Sequence, residues 1–173
     1  MILDIKPLLR GEVHRIPVEY SFTPDPITGV RFDGDAEVCG EVTDNAGYMR
    51  LVLRVTVSYV AECARCLDDV RGEFSEGFER TVVTRGSVQE ETLEENVDEY
   101  AVLDENGMLD VDDEIRETMV LSFPSRVLCD EDCPGLCPKC GKPLRDGPCS
   151  CPTKEIDPRL AILQKWVDKS KKE

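Results

Sequence analysis

The sequence predicts an α+β fold: an antiparallel β-sheet or partly open barrel core, then a cysteine-rich C-terminal segment and a terminal helix. Three observations carry this. Apolar and polar residues alternate repeatedly between positions 30 and 82, cysteines gather in paired spacings, and the last residues carry an apolar stripe at helical spacing. A length of 173 residues fits one domain of ordinary size with a small appendage. The division expected is a β-rich domain at 1–125, with an acidic loop and one helix, and a cysteine-rich tail at 126–173.

The elements follow in order. Residues 13–22 form a weak strand, placed at an edge because Pro17 cannot donate to a ladder. Over 30–42, Val30, Phe32, Ala36, Val38 and Val42 share one side, and Arg31, Asp33, Asp35, Glu37 and Glu41 the other. Asp44-Asn45-Ala46-Gly47 then supplies a hairpin turn. Over 50–61, Leu51, Leu53, Val55, Val57, Tyr59 and Ala61 oppose Arg50, Arg54, Thr56 and Ser58, the pattern of a half-buried strand. Val70, Phe74, Phe78 and Val82 continue it, while Glu76 on the same face marks a bulge or an edge.

Residues 84–98 read as a mobile loop, and 100–103 with 108–111 as a short hairpin turning at Asn106-Gly107 in a type I′ turn. Asp110 or Asp112 caps a helix running to about Ser122, its acidic first turn suiting the helix dipole and Pro124 placed to stop it. At the end, Asp157 caps a helix with Pro158 in its first turn and Leu160, Leu163, Trp166 and Val167 along one stripe. Lys169, Lys171 and Lys172 fray into solvent.

The formal charge is −15, and it is uneven: 28 acidic and 11 basic residues lie in 1–125, against 8 and 10 in 126–173. Such a body repels phosphate backbones, so general nucleic-acid binding is excluded and any contact with RNA must be local. The acidic stretch 90–117 is either a solvated face or a docking surface for a basic partner. The N-terminus lacks a basic start and an apolar run of about 7 to 15 residues, so it reads as mature, intracellular sequence. No apolar run is long enough for a transmembrane helix, and the expectation is a soluble protein. One histidine, His14, cannot supply the usual acid–base inventory and reads as a surface residue, and no phosphate-binding glycine loop follows a strand.

Nine cysteines are many for such a chain, and paired intracellular thiols point to metal. Cys137-Pro138-Lys139-Cys140-Gly141 aims two thiolates at one point, and Cys149-Ser150-Cys151 completes a tetrahedron: four thiolates with no open position describe structural zinc. Cys63-Ala64-Arg65-Cys66 lies where two strands meet, the place of a knuckle presenting half of a second site. Cys129 and Cys133 are the other half by counting, which leaves Cys39 on the polar face of its strand. The alternative is that Cys63 and Cys66 are reduced thiols or a redox pair without metal. A thioredoxin-like role fits less well, since that motif opens a helix. The run Cys133, Cys137, Cys140 has a spacing also used to hold four-iron clusters, but too little chain follows for the barrel those enzymes need.

CARCL at 63–67, DDEIRETMVLSFP at 112–124, LCDEDCPGLCPKCGKPL at 128–144, the CSC that follows and DPRLAILQKW at 157–166 together resemble the YceD family, the large ribosomal RNA subunit accumulation proteins. The resemblance implies a cytoplasmic bacterial protein, or an organellar relative, needed for normal accumulation of 23S ribosomal RNA, with no catalytic activity. It also implies a gene near that of a small large-subunit ribosomal protein. Three readings follow. The preferred one is a non-enzymatic assembly factor whose acidic body holds a large-subunit ribosomal protein or a pre-ribosomal particle, with neither membrane nor small-molecule substrate as partner. The alternative is a direct 23S rRNA-binding module using Arg50, Arg54, Arg65 and Arg71 with the tail. An enzyme such as a nuclease is disfavoured by the lone histidine and the closed metal sites.

Overall fold

The structure, a computed structural model, describes residues 1–151. The expected terminal helix, from Asp157 through the Leu160, Leu163, Trp166 and Val167 stripe, lies outside the described residues, as does the lysine tail. The chain forms two compact units, Met1–Glu131 and Asp132–Glu173. The boundary falls six residues later than the sequence places it, because residues 127–131 hydrogen-bond back to the Cys63 turn: Ala64 N–H donates to Val127 O at 2.9 Å and Arg65 Nη1 to Glu131 O at 3.0 Å.

The first unit is built on strands β2 (Arg15–Phe22), β3 (Val30–Phe32), β4 (Ala36–Asn45), β5 (Tyr48–Glu62), β6 (Asp69–Thr84) and β7 (Tyr100–Leu103). They form an open sheet ordered β2-β4-β5-β6-β7, with β3 pairing β5 beyond the end of β4. Alternation explains the middle of it. Leu51, Leu53, Val55 and Val57 are buried on one face of β5, while Arg50, Val52, Arg54 and Ser58 are exposed on the other. Fourteen consecutive residue pairs join β5 to β6 in unbroken register, so Glu76 marks no bulge. The ladder to β7 involves only 81–84, which leaves the Glu76 stretch of β6 as an edge. The edge strand with Pro17 is β2. The single strand expected over 30–42 is two, since the chain leaves the ladder at 33–35. At the β4–β5 turn Ala46 and Gly47 have φ of 56° and 89°, the pair of positive angles that a two-residue hairpin requires.

Three further expectations are corrected. Residues 84–98 contain a helix, α2 (Glu90–Glu95), and a 3₁₀ turn, Val97–Glu99, in place of an unstructured loop. The reason is topological: β7 pairs β6 in parallel, and a parallel neighbour needs a crossover of about a dozen residues or more. Nor do 100–103 and 108–111 make a hairpin ladder, because β8 (Met108–Asp110) pairs instead with β1 (Ile2–Asp4) in a separate two-stranded sheet. At its turn only Gly107 has positive φ, so the turn is not type I′; the Asp104 carboxylate organises it by accepting from the N–H groups of Asn106 and Met108, each at 2.8 Å. A short helix, α1 (Lys6–Leu9), follows β1 and was not anticipated.

Helix α3 (Val111–Ser122) is capped by Asp110, which accepts from Asp112 N–H at 3.1 Å. Its buried face, Ile115 and Met119, packs with the inner face of the sheet, Leu103 and Leu109 into one core. At its end Phe123 meets Phe74, Tyr59 and Phe32, with ring centroids 5.4, 5.0 and 6.2 Å away. One buried charge faces this core: Arg80, opposite Leu51, lies over the Phe78 ring at 5.1 Å and reaches Glu114 Oε2 at 3.6 Å and Asp98 Oδ1 at 3.8 Å. Burial outweighs the attraction of Arg80 and lifts the Glu114 carboxyl to about 7.

Candidate metal centres

The β5–β6 hairpin ends in the turn 63–68, and this turn is a knuckle. Cys63 N–H donates to Asp68 O at 2.8 Å, Leu67 N–H donates to Cys63 O at 2.9 Å, and Leu67 sits at φ 64°. In the second unit the turn 137–142 repeats the frame residue for residue. Cys137 N–H donates to Lys142 O at 2.9 Å, Gly141 N–H to Cys137 O at 2.9 Å, and Gly141 has φ 71°. The left-handed angle is free for Gly141 but costs a leucine about 1–2 kcal/mol. It lets the peptide after the second cysteine fold under the first.

In the second unit the sulfurs of Cys137, Cys140, Cys149 and Cys151 all lie within 4.8 Å of one another. Cys149 Sγ is 3.3 Å from Cys137 Sγ, and Lys139 N–H donates to Cys137 Sγ at 3.5 Å. The 3₁₀ turn Leu144–Asp146 and the bridge between Leu136 and Pro143 carry the chain back to the second pair. In the first unit Cys63, Cys66 and Cys129 lie within the same limit, with Cys66 and Cys129 sulfurs 3.6 Å apart. Four bonds of about 2.3 Å to one tetrahedral ion impose sulfur separations of about 3.8 Å, so both groups have the size a metal needs. Cys133 is buried and belongs to the second unit, two residues past the boundary.

The electrostatics of the two knuckles agree. Backbone N–H groups aimed at the sulfur, that of Cys129 foremost, bring the Cys63 thiol down to about 6; those of Cys140 and then Lys139 do the same for Cys137. Hydrogen bonding to the Asp68 carboxylate, which accepts at 3.0 Å, pushes the Cys66 thiol up, and hydrogen bonding to the Cys140 sulfur pushes Cys151 up to about 12. Crowded sulfurs lose a first proton readily and the later ones reluctantly, the condition that a cation at the centre relieves.

The arginines of the alternative reading are scattered. Arg50 and Arg54 share the exposed face of β5, but Arg50 is ion-paired with Glu79 and Arg54 lies across Gly77 of the neighbouring strand. Arg71 sits opposite Val60, towards the knuckle end of the ladder, 4.0 Å from Asp33, and Arg65 is in the knuckle itself. Cys39 is exposed on the outer face of β4, and His14 is exposed. Sequence reasoning missed Leu67, Asp68 and the positioning role of Arg65. Laying one Cys-x-x-Cys turn over the other would have exposed the first, since Leu67 falls on Gly141.

A β-sheet protein whose longest hairpin ends in a cysteine knuckle, with a second knuckle later in the sequence in a small unit of its own, is a scaffold carrying cysteine clusters that could hold metal ions. The chain belongs to the YceD family, described as large ribosomal RNA subunit accumulation protein, whose profile matches residues 51–166. The matched stretch runs from β5 through both knuckles. Uncharacterised proteins of Mycobacterium tuberculosis and Mycobacterium bovis are each 40% identical over 110 residues, 63% of this chain and 51% of theirs. One of Mycobacterium leprae is 33% identical over 109 residues, 63% of this chain and 48% of its own. The chain thus spans about half the length of the curated relatives it matches. No solved structure matches it. Among the described residues no helix is long and apolar enough to cross a membrane.

Proposed function

We propose that this protein is a non-enzymatic, cytoplasmic factor that supports accumulation of 23S ribosomal RNA by holding a basic large-subunit protein during assembly. The observation that carries it is family membership across 51–166, the stretch that contains both knuckles. The acidic first unit adds the electrostatic reason. Its charge repels RNA phosphates over the roughly 8 Å that physiological salt allows and attracts a free Lys- and Arg-rich protein. Glu90, Glu91, Glu94, Glu95, Asp98 and Glu99, all exposed on α2 and the turn after it, are its densest part.

Zinc is the metal proposed for both clusters, since four thiolates and no open position suit it. Cys137, Cys140, Cys149 and Cys151 hold one ion. Cys63, Cys66 and Cys129 hold the other with Cys133, which follows Cys129 by four residues and is the one cysteine left that can serve. Bound zinc would pin the turns and do no chemistry on a substrate.

The test is affinity capture from cells lysed with and without ribonuclease, together with salt titrations against large-subunit proteins and naked 23S RNA. Capture of large-subunit proteins that survives ribonuclease supports the reading, and replacing the six acids by Gln and Asn should weaken it. Tight binding to naked RNA that falls steeply with salt, unchanged by the six replacements, would transfer the function to the arginines.

A further inference from the structure

The outward face of α3 ends in two large apolar residues, Val120 and Leu121, which are 63% and 66% exposed. They border a cleft of about 520 Å³ that is also lined by Ile27 and by Leu67 of the knuckle turn. Leu67 is 60% exposed although its backbone is held at φ 64°. Glycine serves at the equivalent place in the second knuckle, so an exposed leucine kept in a disfavoured conformation points to use of its side chain. Exposed apolar groups collected around one cleft mark an interaction site.

The charges around it choose the occupant. Glu62 and Arg126 line the cleft; Val120 and Leu121 also border an adjoining hollow with Asp98 and Glu117, and Val120 a third with Asp25. Of the basic residues, Arg116 is tied to Asp25 and Asp113 at 3.2 Å each and the buried Arg80 lies 3.8 Å from the exposed Asp98, which leaves Arg126 against Glu117 and Glu62. We infer that this cleft is the docking site for an amphipathic basic segment of a partner protein, whose apolar side chains seat on Val120, Leu121 and Leu67 while its Lys and Arg residues meet Glu117, Asp98 and Glu62. The inference rests on the proposed function, and gives the basic partner its place on the molecule.

The 173-residue chain, loaded with zinc, is titrated into a labelled peptide with Leu at helical i, i+4 spacing and Lys elsewhere, followed by fluorescence anisotropy. The peptide binds; a version with Ser for Leu, or Glu for Lys, binds poorly. Losing one or two buried anchors costs about tenfold or more in affinity, expected for Val120→Ser with Leu121→Ser. Leu67→Gly should weaken binding while leaving the thermal midpoint unchanged or raised, which separates a docking role from a structural one. Equal binding by wild type and these variants overturns the inference, as does self-association abolished by Leu121→Ser, since the occupant is then a second copy. If wild type and variants capture large-subunit proteins alike, this surface is wrong and the proposed function stands. If the peptide binds through Val120 and Leu121 but no large-subunit protein is captured, the surface stands and the proposed function fails.

Discussion

The two knuckles share one hydrogen-bonding frame and differ in what supports it. The first closes a hairpin of fourteen residue pairs, whose inner face is part of the core. Among the described residues, the second is closed by a bridge between Leu136 and Pro143 and a 3₁₀ turn. A frame this small is stable where something else holds its ends together. In the first unit the sheet does so, strongly enough to keep Leu67 at an angle that suits glycine. Among the described residues of the second, the four sulfurs gather at the turn, and there the residue at that angle is Gly141. The comparison teaches that one motif can end a long hairpin in one place and a short, lightly bridged turn in another.

The largest effect should come from removing metal. Chelation, or Cys140→Ala, is expected to abolish hydrogen-exchange protection in the second unit while the β5–β6 amides stay protected, because metal binding and folding are one equilibrium in small sites, worth about 10–16 kcal/mol for structural zinc. Protection retained at residues 136–144 would break the comparison. Next, Cys66→Ala should remove one equivalent of zinc by elemental analysis and free 127–131 from the turn, with little loss in the hairpin; collapse of the hairpin would make the two knuckles alike.

A third test acts on the first unit alone. Burial holds the Glu114 carboxyl at about 7, above its ordinary 4.5, so the folded state binds that proton more tightly than the unfolded chain. Stability from this group is therefore fully present below about 4.5 and lost as pH rises to about 7, at most about 1.4 kcal/mol for each unit of displacement. Glu114→Gln should flatten that slope at the α3 amides, and exchange in the second unit should not respond. Glu114→Ala is harsher, since it removes one of the two carboxylates beside the buried Arg80 and leaves only the exposed Asp98, a step toward the cost of about 3–5 kcal/mol that an unpaired buried charge carries. The smallest effect is a reciprocal exchange. Gly141→Leu should cost about 1–2 kcal/mol of local stability, whereas Leu67→Gly should cost nothing measurable in a thermal melt. Equal penalties would mean that the sheet does not carry the strain.

The sequence by itself determined what depends on neighbours along the chain. Alternation set β5 and its partners because side chains in a strand point to opposite faces at every step. Asp44 to Gly47 set the turn, Asp110 the cap of α3, and paired cysteines the two knuckles, each a matter of a few consecutive residues. Tertiary structure alone decided which distant segments meet. No periodicity marks β7 as parallel to β6, or β8 as the partner of β1 more than a hundred residues earlier, because the choice of neighbour is made by shared burial and not by local pattern. The crossover helix α2 follows from that choice, since a parallel strand cannot be reached by a tight turn. The return of Val127 and Cys129 to the first knuckle and the confinement of Arg80 beside Glu114 have the same cause: each pairs groups whose need for partners is local but whose partners are selected by the folded core.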